Sequence, residues 1–492
     1  MLQVIERAHS HRGRIAIISD ASRYTYDDVL KRSAEIASFL LHEKEDLQEA
    51  RIAFMVPPGL DYVATLWGIW RAGGIAVPLC LTHPAPALEH VLKDTGASII
   101  LSTQTFMPLL LPLGTKYGAR VSDVTQQTHW PQRSDPNVAA ERRALILYTS
   151  GTTNLPKGVV TTHRNLSAQI QTLVKSWYWS ERDHTLCVLP LHHVHGIVNV
   201  VSCSLWAGAC CEFLPDFQAP EALRAFRRRE INVFMAVPTI YFKLIAAWET
   251  LPVEEQQEVS AALAAMRLMV SGSAALPVSV MERWERISGH RLLERYGMTE
   301  LGMAISNPYE GERRAGYVGT PLPGVEIRLC DDKDQPVVGE PGEIQVRGEN
   351  VFQEYWNQPA ATAMSFTKDG WFKTGDVAVI ESGYYRILGR SSVDIIKSGG
   401  YKISALEIEE VLRTHPDIKD CAVVGLDDEE WGEVVAAAVV ASRPLDIEPL
   451  RAWLKERIPG YRIPRKFLLV EELPRNAMGK VTKSDVRKLF VV

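Results

Sequence analysis

The sequence predicts an α/β protein in which a large domain with mainly parallel sheets is followed by a small α+β domain. Three observations lead to this prediction. Short apolar runs alternate with helical patterns over most of the chain, short strands separated by Pro and Gly turns follow at 316–347, and a new alternation begins after residue 392. A chain of 492 residues is long enough to bury more than one core.

The alternation begins at residue 51. The predicted elements are a strand at 51–56, a helix at 60–71, a strand at 74–79, a helix at 87–94 and a strand at 97–101. The same order returns with a helix at 219–229 and a strand at 231–237. Strands that alternate with helices are typical of parallel sheets covered by helices.

Residues 186–211 contain no charged side chain when histidine is neutral, and this length is sufficient to span a bilayer. Pro190, Asn199 and Gly208 interrupt the apolar run, as do three histidines. We therefore predict a buried helix followed by a strand that begins near Ala209, and no membrane span.

The composition excludes several classes of function. The formal net charge is -5, so the chain lacks the positive field of proteins that bind nucleic acid. Its seven cysteines are scattered without a C-x-x-C pair, which argues against a disulfide scaffold and a zinc ribbon. His192, His193 and His195 have no neighbouring carboxylate or Cys to complete a zinc site. A cytoplasmic location is expected because no apolar secretory signal is present, and the sequence carries no signal for an oligomeric state.

We predict domains at 1–390 and 391–492, with a compact hinge because no flexible linker separates the two parts. After Gly389-Arg390-Ser391-Ser392 the chain restarts with an apolar strand. A helix follows, with Ser404 and Glu407 in the sequence pattern of a capping box.

The stretch Tyr148-Thr-Ser-Gly-Thr-Thr-Asn-Leu-Pro-Lys-Gly158 lies between predicted strands at 144–147 and 159–161. Its hydroxyls, exposed backbone N–H groups and ammonium suit the β and γ oxygens of a triphosphate. The spacing differs from that of a Walker A motif, which excludes a Ras-like P-loop. A polar surface turn is the alternative for this cluster taken alone. The candidate phosphate-binding residues are Thr149, Ser150, Gly151, Thr152, Thr153 and Lys157.

This loop resembles the phosphate-binding loop of the adenylate-forming superfamily, which includes acyl-CoA synthetases, luciferases and nonribosomal peptide adenylation domains. The family usually has Gly where this chain has Asn154, a residue that tolerates left-handed backbone. Further stretches resemble family motifs in the family's order, at 189–196, 294–300, 371–376, 389–401 and 474–480. The resemblance implies a large N-terminal domain with two α/β sheet subdomains and a β-rich subdomain, followed by a small mobile C-terminal α+β domain.

The resemblance also implies roles for individual side chains toward ATP, Mg²⁺ and coenzyme A. Tyr296 would stack on adenine, Thr299 would bind the α-phosphate and Asp376 would accept the ribose hydroxyls. Glu300 would bind the magnesium ion. Lys480 would bridge the substrate carboxylate and the α-phosphate.

Two half-reactions follow from the same resemblance. Attack of a carboxylate on the ATP α-phosphorus gives an acyl-adenylate, while Lys157 holds the departing pyrophosphate. The small domain then turns about a hinge within 391–394, which removes Lys480 and presents the loop 397–402, with Gly400, to the pantetheine arm of coenzyme A. Arg390, in the hinge motif, is expected to help bind the nucleotide.

Within the superfamily the chain is most similar to malonyl-CoA synthetases, over stretches that include 267–277. Arg267 matches the arginine that such enzymes use for the distal carboxylate of malonate, and a second carboxylate would pair with a buried guanidinium. Alternatively, Arg267 flanks a strand and pairs with a protein carboxylate. His193 and Ser271 are expected in the acyl-pocket wall. Met303 would limit bulk at the α-carbon, so that methylmalonate is a slower substrate.

Other functions remain open from the sequence alone. The acid could be another short-chain or aryl carboxylate, and the acyl group could be loaded onto a carrier protein instead of coenzyme A. A non-catalytic nucleotide-binding regulator is a rival from another class. The joint presence of Lys157, Glu300, Asp376, Arg390 and Lys480 argues against that rival, since a pure binder needs no mobile lysine.

Overall fold

Four β-sheets and the helices around them make up the described part of the chain in a computed structural model, which covers residues 3–42, 44–128, 130–149, 156–475 and 480–490. The strands are β1 Ile15–Ser19, β2 Ser22–Thr25, β3 Arg51–Met55, β4 Ile75–Pro78, β5 Ile99–Ser102, β6 Arg120–Asp123, β7 Arg143–Thr149, β8 Lys157–Thr162, β9 His184–Cys187, β10 Cys210–Phe213, β11 Val233–Ala236, β12 Leu268–Ser271, β13 Leu293–Met298, β14 Gly302–Ser306, β15 Thr320–Pro321, β16 Val325–Cys330, β17 Gly342–Gly348, β18 Glu354–Tyr355, β19 Phe372–Glu381, β20 Tyr384–Arg390, β21 Ile395–Ser398, β22 Tyr401–Ser404, β23 Ile418–Asp428, β24 Gly432–Ala441 and β25 Lys466–Leu469. The α-helices are α1 Gln3–Ala8, α2 Tyr26–Leu41, α3 Leu60–Arg71, α4 Ala85–Thr95, α5 Met107–Tyr117, α6 His163–Ser176, α7 Cys203–Trp206, α8 Ala219–Arg227, α9 Pro238–Glu249, α10 Val253–Ala264, α11 Val278–Ser288, α12 Pro359–Met364, α13 Ala405–Arg413, α14 Ile447–Lys455 and α15 Lys483–Lys488.

Two large sheets are parallel at their centres. The nine-stranded sheet has the order β15-β14-β13-β12-β11-β9-β10-β1-β2 and is parallel from β13 to β1. The seven-stranded sheet has the order β18-β8-β7-β4-β3-β5-β6 and is parallel from β7 to β6. Strands β11 and β12 are buried at every position, as expected for parallel strands covered on both faces. The predicted α/β class is confirmed.

The polarity of these sheets decides where a ligand binds. The carboxyl ends of parallel strands meet along one edge, and the crevice outside that edge is where α/β proteins bind ligands.

The predicted strand at 51–56 and helix at 60–71 are confirmed as β3 and α3. Helix α4 starts at Ala85, before the predicted residue 87, because Pro86 occupies its first turn, where a missing N–H costs nothing.

The uncharged stretch 186–211 forms the predicted buried helix and strand. The helix opens with eight π-helical residues, His195–Ser202, continues as α7 and is followed by β10. The sequence does not predict the π-helical geometry. Apolar residues on every face of the helix give no hydrophobic periodicity that would distinguish a π-helix from an α-helix. Across the described ranges, no helix is both long and apolar enough to cross a membrane.

A four-stranded antiparallel sheet, β16-β17-β19-β20, follows the two large sheets and confirms the β-rich segment. Strand β20 ends at Arg390 and the C-terminal sheet, β22-β21-β24-β23 with β25 beside β24, begins at Ile395. The predicted capping box is only half formed. Ser404 accepts a hydrogen bond from the Glu407 N–H at 3.2 Å, but the Glu407 carboxylate pairs instead with Arg386 and Arg462.

Candidate active site

The ends of the candidate phosphate loop are fixed by an antiparallel pair of strands. Thr149 closes β7 and lies opposite Lys157, the first residue of β8. The Lys157 ammonium lies 4.9 Å from the ring centre of Tyr355. Four predicted phosphate ligands fall outside the described residues and stay predictions: Ser150, Gly151, Thr152 and Thr153.

Glu300 is the buried carboxylate of the site. Its Oε1 accepts a hydrogen bond from the Tyr355 hydroxyl at 2.9 Å, which joins it to the ring beneath Lys157. Burial raises the pKa of the Glu300 carboxyl. Among the described residues no cluster of three metal-ligating side chains occurs. A single carboxylate fits Mg²⁺, which binds proteins through one or two carboxylates while substrate phosphates and water fill the remaining positions.

Asp376 is held between Tyr296 and Arg390. The Tyr296 hydroxyl donates to Asp376 Oδ2 at 2.6 Å, and Arg390 Nε donates to Oδ1 at 3.1 Å. Arg390 Nη2 also donates to the Thr374 carbonyl at 2.9 Å. Each carboxylate oxygen has a second lone pair, so Asp376 can still accept a pair of ribose hydroxyls.

Glu300 lies close to Asp376 and Arg390. Burial is the main cause of the raised pKa of Glu300, and the charges of Arg390 and Asp376 also act on it. The structure thus brings Lys157, Glu300 and Asp376 together from three separate sequence motifs. Thr299 lies beside them in the turn between β13 and β14.

Lys480 lies close enough to Asp394, in the segment 391–394 predicted to contain the hinge, for its charge to act on that carboxyl. Asp394 Oδ2 accepts from the Arg390 N–H at 2.9 Å, and its Oδ1 pairs with Lys483 at 2.7 Å. Burial alone would raise the pKa of the Asp394 carboxyl, but the nearby ammonium groups, that of Lys480 included, lower it. Gly400 is exposed with φ +83°, and a Cβ there would meet no described atom within 4 Å.

The prediction that Arg267 binds the distal carboxylate of the substrate is wrong. Its Nε and Nη2 donate to the two oxygens of Asp183 at 2.6 Å each, and its Nη1 donates to the Trp177 carbonyl at 2.9 Å. Arg267 precedes β12 and therefore lies at the amino edge of the parallel strands, opposite the nucleotide site. The alternative, a strand-flanking arginine that pairs with a protein carboxylate, is correct.

A different arginine has two guanidinium nitrogens that no described residue pairs. Arg295, on β13 and 3% exposed, has no hydrogen-bond partner for Nε or Nη2 among the described residues. Burial lowers the pKa of Arg295 to about 10. Its guanidinium packs against Gly272, where a Cβ would overlap it. A buried cation left in this state indicates a site for an anion.

Further buried polar atoms have no partner among the described residues. His195 is close enough for Arg295 to lower its pKa, although burial is the larger cause. The His195 Nδ1 lies 3.1 Å from the Ser273 hydroxyl, while its Nε2 is buried without a partner. Within the part of the chain that the structure describes, both amide atoms of Asn199, four residues further along the π-helix, and the Ser271 hydroxyl are also unpaired. Native proteins leave few buried polar atoms unpaired, so this group suits a small polar ligand.

The other predicted pocket residues lie around the same region. Burial lowers the pKa of His193 to about 4, which keeps its imidazole neutral, and its ring centre lies 4.0 Å from that of His192. Met303 is buried, its N–H donates to Gln169 Oε1 at 2.6 Å, and its ε-methyl lies against Gly297.

Comparison with known proteins assigns the family. A model described as AMP-binding enzyme matches residues 4–356, and one described as AMP-binding enzyme C-terminal domain matches residues 407–480. The chain belongs to the AMP-binding enzyme family. The family predicted from the six motifs is therefore confirmed.

Three members of the AMP-binding enzyme family show the extent of the likeness. The mitochondrial malonate–CoA ligase ACSF3 of Bos taurus is 43% identical over 528 residues, which cover 99% of this chain and 90% of the relative. ATP-bound MatB from Rhodopseudomonas palustris is 31% identical with a TM-score of 0.92 over 99% of both chains. A ternary product complex of malonyl-CoA ligase with methylmalonyl-CoA and AMP is 35% identical with a TM-score of 0.71, covering 96% of this chain and 100% of the other.

Sequence reasoning missed Arg295, Asn199 and Tyr355. Arg295 lies within the motif at 294–300, in which the family resemblance implies roles only for Tyr296, Thr299 and Glu300. The alternation of side chains along β13 was the available signal, because Tyr296 and Arg295 point to opposite faces of the strand. Nothing in the sequence marks Tyr355, which reaches Glu300 from a two-residue strand far along the chain.

Proposed function

We propose that this protein is an ATP-dependent, AMP-forming malonate–CoA ligase. It activates one carboxylate of malonate as malonyl-adenylate and then transfers the malonyl group to the thiol of coenzyme A. The nucleotide site and the names of the relatives support the activity class, and the acyl pocket supports the substrate.

The observation that supports malonate as the substrate is the incompletely paired guanidinium of Arg295. A monocarboxylic acid would spend its only carboxylate at the α-phosphate and leave this buried cation without a partner. A dicarboxylic acid can offer the second carboxylate to Arg295 as a charge-assisted, bidentate pair. The buried Met303 limits the space at the α-carbon, which favours malonate over methylmalonate.

In the first half-reaction an oxygen of malonate attacks the α-phosphorus of ATP, a P–O bond forms, and the bond to the departing pyrophosphate breaks. Lys157 binds the pyrophosphate end and Lys480 lies between the carboxylate and the α-phosphate, where both neutralise developing charge. Asp376 holds the ribose and Tyr296 the adenine. Glu300 would hold Mg²⁺, which when bound neutralises charge on the triphosphate.

In the second half-reaction the sulfur of coenzyme A attacks the acyl carbon, AMP leaves with the electron pair of the broken C–O bond, and the thiol proton passes to solvent. We infer that the small domain turns between the two steps, with a domain boundary at 390/391 and a hinge within 391–394. The chain superimposes better on ATP-bound MatB than on the product complex, although it is more identical to the latter. A turn of the small domain between the two states would account for this order, and the order therefore supports the proposal.

A cytoplasmic location stays a prediction, because the relative from Bos taurus is mitochondrial by name. Loading of a carrier protein and activation of a short-chain or aryl acid are the rival activities. A carrier protein would replace only the thiol, whereas an aryl acid would bring no anion to Arg295.

The test is an acid panel with purified protein, ATP, Mg²⁺ and coenzyme A. Pyrophosphate release and thioester formation are measured with malonate, methylmalonate, acetate and benzoate. We expect the highest kcat/KM with malonate, a lower value with methylmalonate, and little activity with the two monocarboxylic acids. A higher kcat/KM with acetate or benzoate than with malonate would overturn the proposal.

A further inference from the structure

Helix α13 of the small domain contacts the large domain through two carboxylates. Glu410 Oε1 and Oε2 accept from the backbone N–H of Val278 at 3.3 and 3.4 Å. Glu407, three residues earlier, accepts from Arg386 on β20 at 2.5 Å. Side chains three residues apart lie on the same face of a helix, so both carboxylates belong to one docking face.

Val278 is the first residue of α11, an eleven-residue helix that lacks a side-chain cap of its own. Its N-cap residue is Pro277, which offers no side-chain acceptor. The first N–H groups of a helix have no partner within the helix and carry partial positive charge. Glu410 therefore supplies, from the other domain, the anionic cap that the sequence before α11 does not provide.

The segment that leads into α11 also contacts two residues of the proposed acyl pocket, Arg295 and His195. At its start Gly272 packs against the Arg295 guanidinium, and the Ser273 hydroxyl lies 3.1 Å from His195 Nδ1. At its end the Leu276 N–H donates to Glu294 Oε1 at 2.9 Å. The contact made by Glu410 is therefore directly continuous with the residues around the substrate.

We propose that Glu410 is a positioning residue for acyl-adenylate formation, which holds the small domain in its adenylating orientation by capping α11. The inference rests on the proposed function, because it assumes that the small domain turns between the half-reactions. The contact joins the two domains, so it breaks when the small domain turns. Loss of Glu410 therefore slows adenylation and leaves thioester formation unchanged.

The test compares Glu410→Ala and Glu410→Gln with a matched control, Glu448→Gln. Glu448 is an exposed carboxylate on α14 of the small domain that pairs only loosely with Arg451. Malonate-dependent ATP–pyrophosphate exchange reports the first half-reaction, and conversion of supplied malonyl-adenylate with coenzyme A reports the second. From the usual strength of a helix cap we expect Glu410→Ala to lower kcat of exchange about three- to thirtyfold. The kcat of exchange of Glu410→Gln should lie between those of the wild type and Glu410→Ala. The amide oxygen still accepts a hydrogen bond, but the negative charge is absent.

The ratio of the two rates separates positioning from a merely structural role. Equal losses in both half-reactions, or no loss of exchange in either Glu410 variant, would overturn the inference, whereas Glu448→Gln should match the wild type in both. If the wild type shows no exchange with malonate, the substrate assignment fails. The same comparison is then made with whichever acid of the panel supports exchange, so the two failures are distinguishable.

Discussion

Replacing Arg295 by Met tests the substrate assignment most directly. In the wild type the second carboxylate of malonate replaces the missing partner of a guanidinium that is 3% exposed. In the variant that carboxylate would be buried beside a methyl thioether, which costs about 3–5 kcal/mol. The kcat/KM for malonate should therefore fall about 10²- to 10⁴-fold. The residual kcat/KM for acetate should not fall, because acetate brings no second carboxylate to this position.

The stability of the variant should change in the opposite direction from its activity. An unpaired buried cation destabilises the free protein, so Arg295→Met is expected to unfold at the same or a higher urea concentration than the wild type. Arg267→Met is the matched control. It leaves Asp183, whose side chain is 1% exposed, buried without its cation and should lower the free energy of unfolding by about 3–5 kcal/mol.

The assay is the ratio of kcat/KM for malonate to that for acetate, measured in both variants beside urea unfolding. The reasoning predicts that the ratio collapses in Arg295→Met and is unchanged in Arg267→Met. A malonate kcat/KM within threefold of the wild type in Arg295→Met would refute it. A selective loss of malonate in Arg267→Met would refute it equally, and would return the distal carboxylate to the arginine first predicted.

Three further predictions follow from the same site. Lys480→Ala should abolish malonate-dependent pyrophosphate exchange but retain most thioester formation from supplied malonyl-adenylate, and an equal loss of both would contradict domain alternation. Met303→Ala should raise the kcat/KM ratio of methylmalonate to malonate by several-fold, since removing the buried side chain opens space at the α-carbon; an unchanged ratio would remove Met303 from the pocket wall. Burial raises the pKa of Glu294 to about 8 from 4.5, so the stability from its neutral form is complete below about pH 4.5 and is lost as pH rises through about 8. Glu294→Gln keeps an acceptor for the Leu276 N–H, and its urea midpoint should therefore fall less than that of the wild type between pH 5 and pH 8.

The nucleotide-binding candidates could be predicted from the sequence because each residue type in them suits one chemical group of ATP. Three motifs each match a group of ATP: a Ser/Thr/Gly loop with a lysine between two strands, a Thr-Glu pair, and an Asp after Gly375. Their order along the chain indicates the family. The predicted elements were also close to those observed, because alternation of strand and helix is a local property of the sequence.

The arginines were not distinguishable by such local properties. Arg267 and Arg295 both adjoin apolar strand residues, and either could have been buried beside the substrate. Their difference lies in strand polarity, since Arg267 precedes β12 whereas Arg295 lies within β13. Asp183, the partner of Arg267, precedes β9. These two residues are 84 positions apart in the chain, and they meet at the amino edge only because β11 pairs with both β9 and β12. That pairing is a long-range property of the sheet.

The contrast between the two arginines also explains how the pocket selects a small dianion. All three guanidinium nitrogens of Arg267 have protein partners, whereas Arg295, His195 and Asn199 each retain buried polar atoms that no described residue pairs. Unpaired buried groups destabilise a fold unless a ligand satisfies them, so this arrangement exchanges stability of the free protein for affinity toward a polar ligand. An apolar acyl chain would leave every one of these atoms unpaired. If these residues line the acyl pocket as proposed, fatty acids are expected to bind poorly because they would leave buried polar groups desolvated and unpaired.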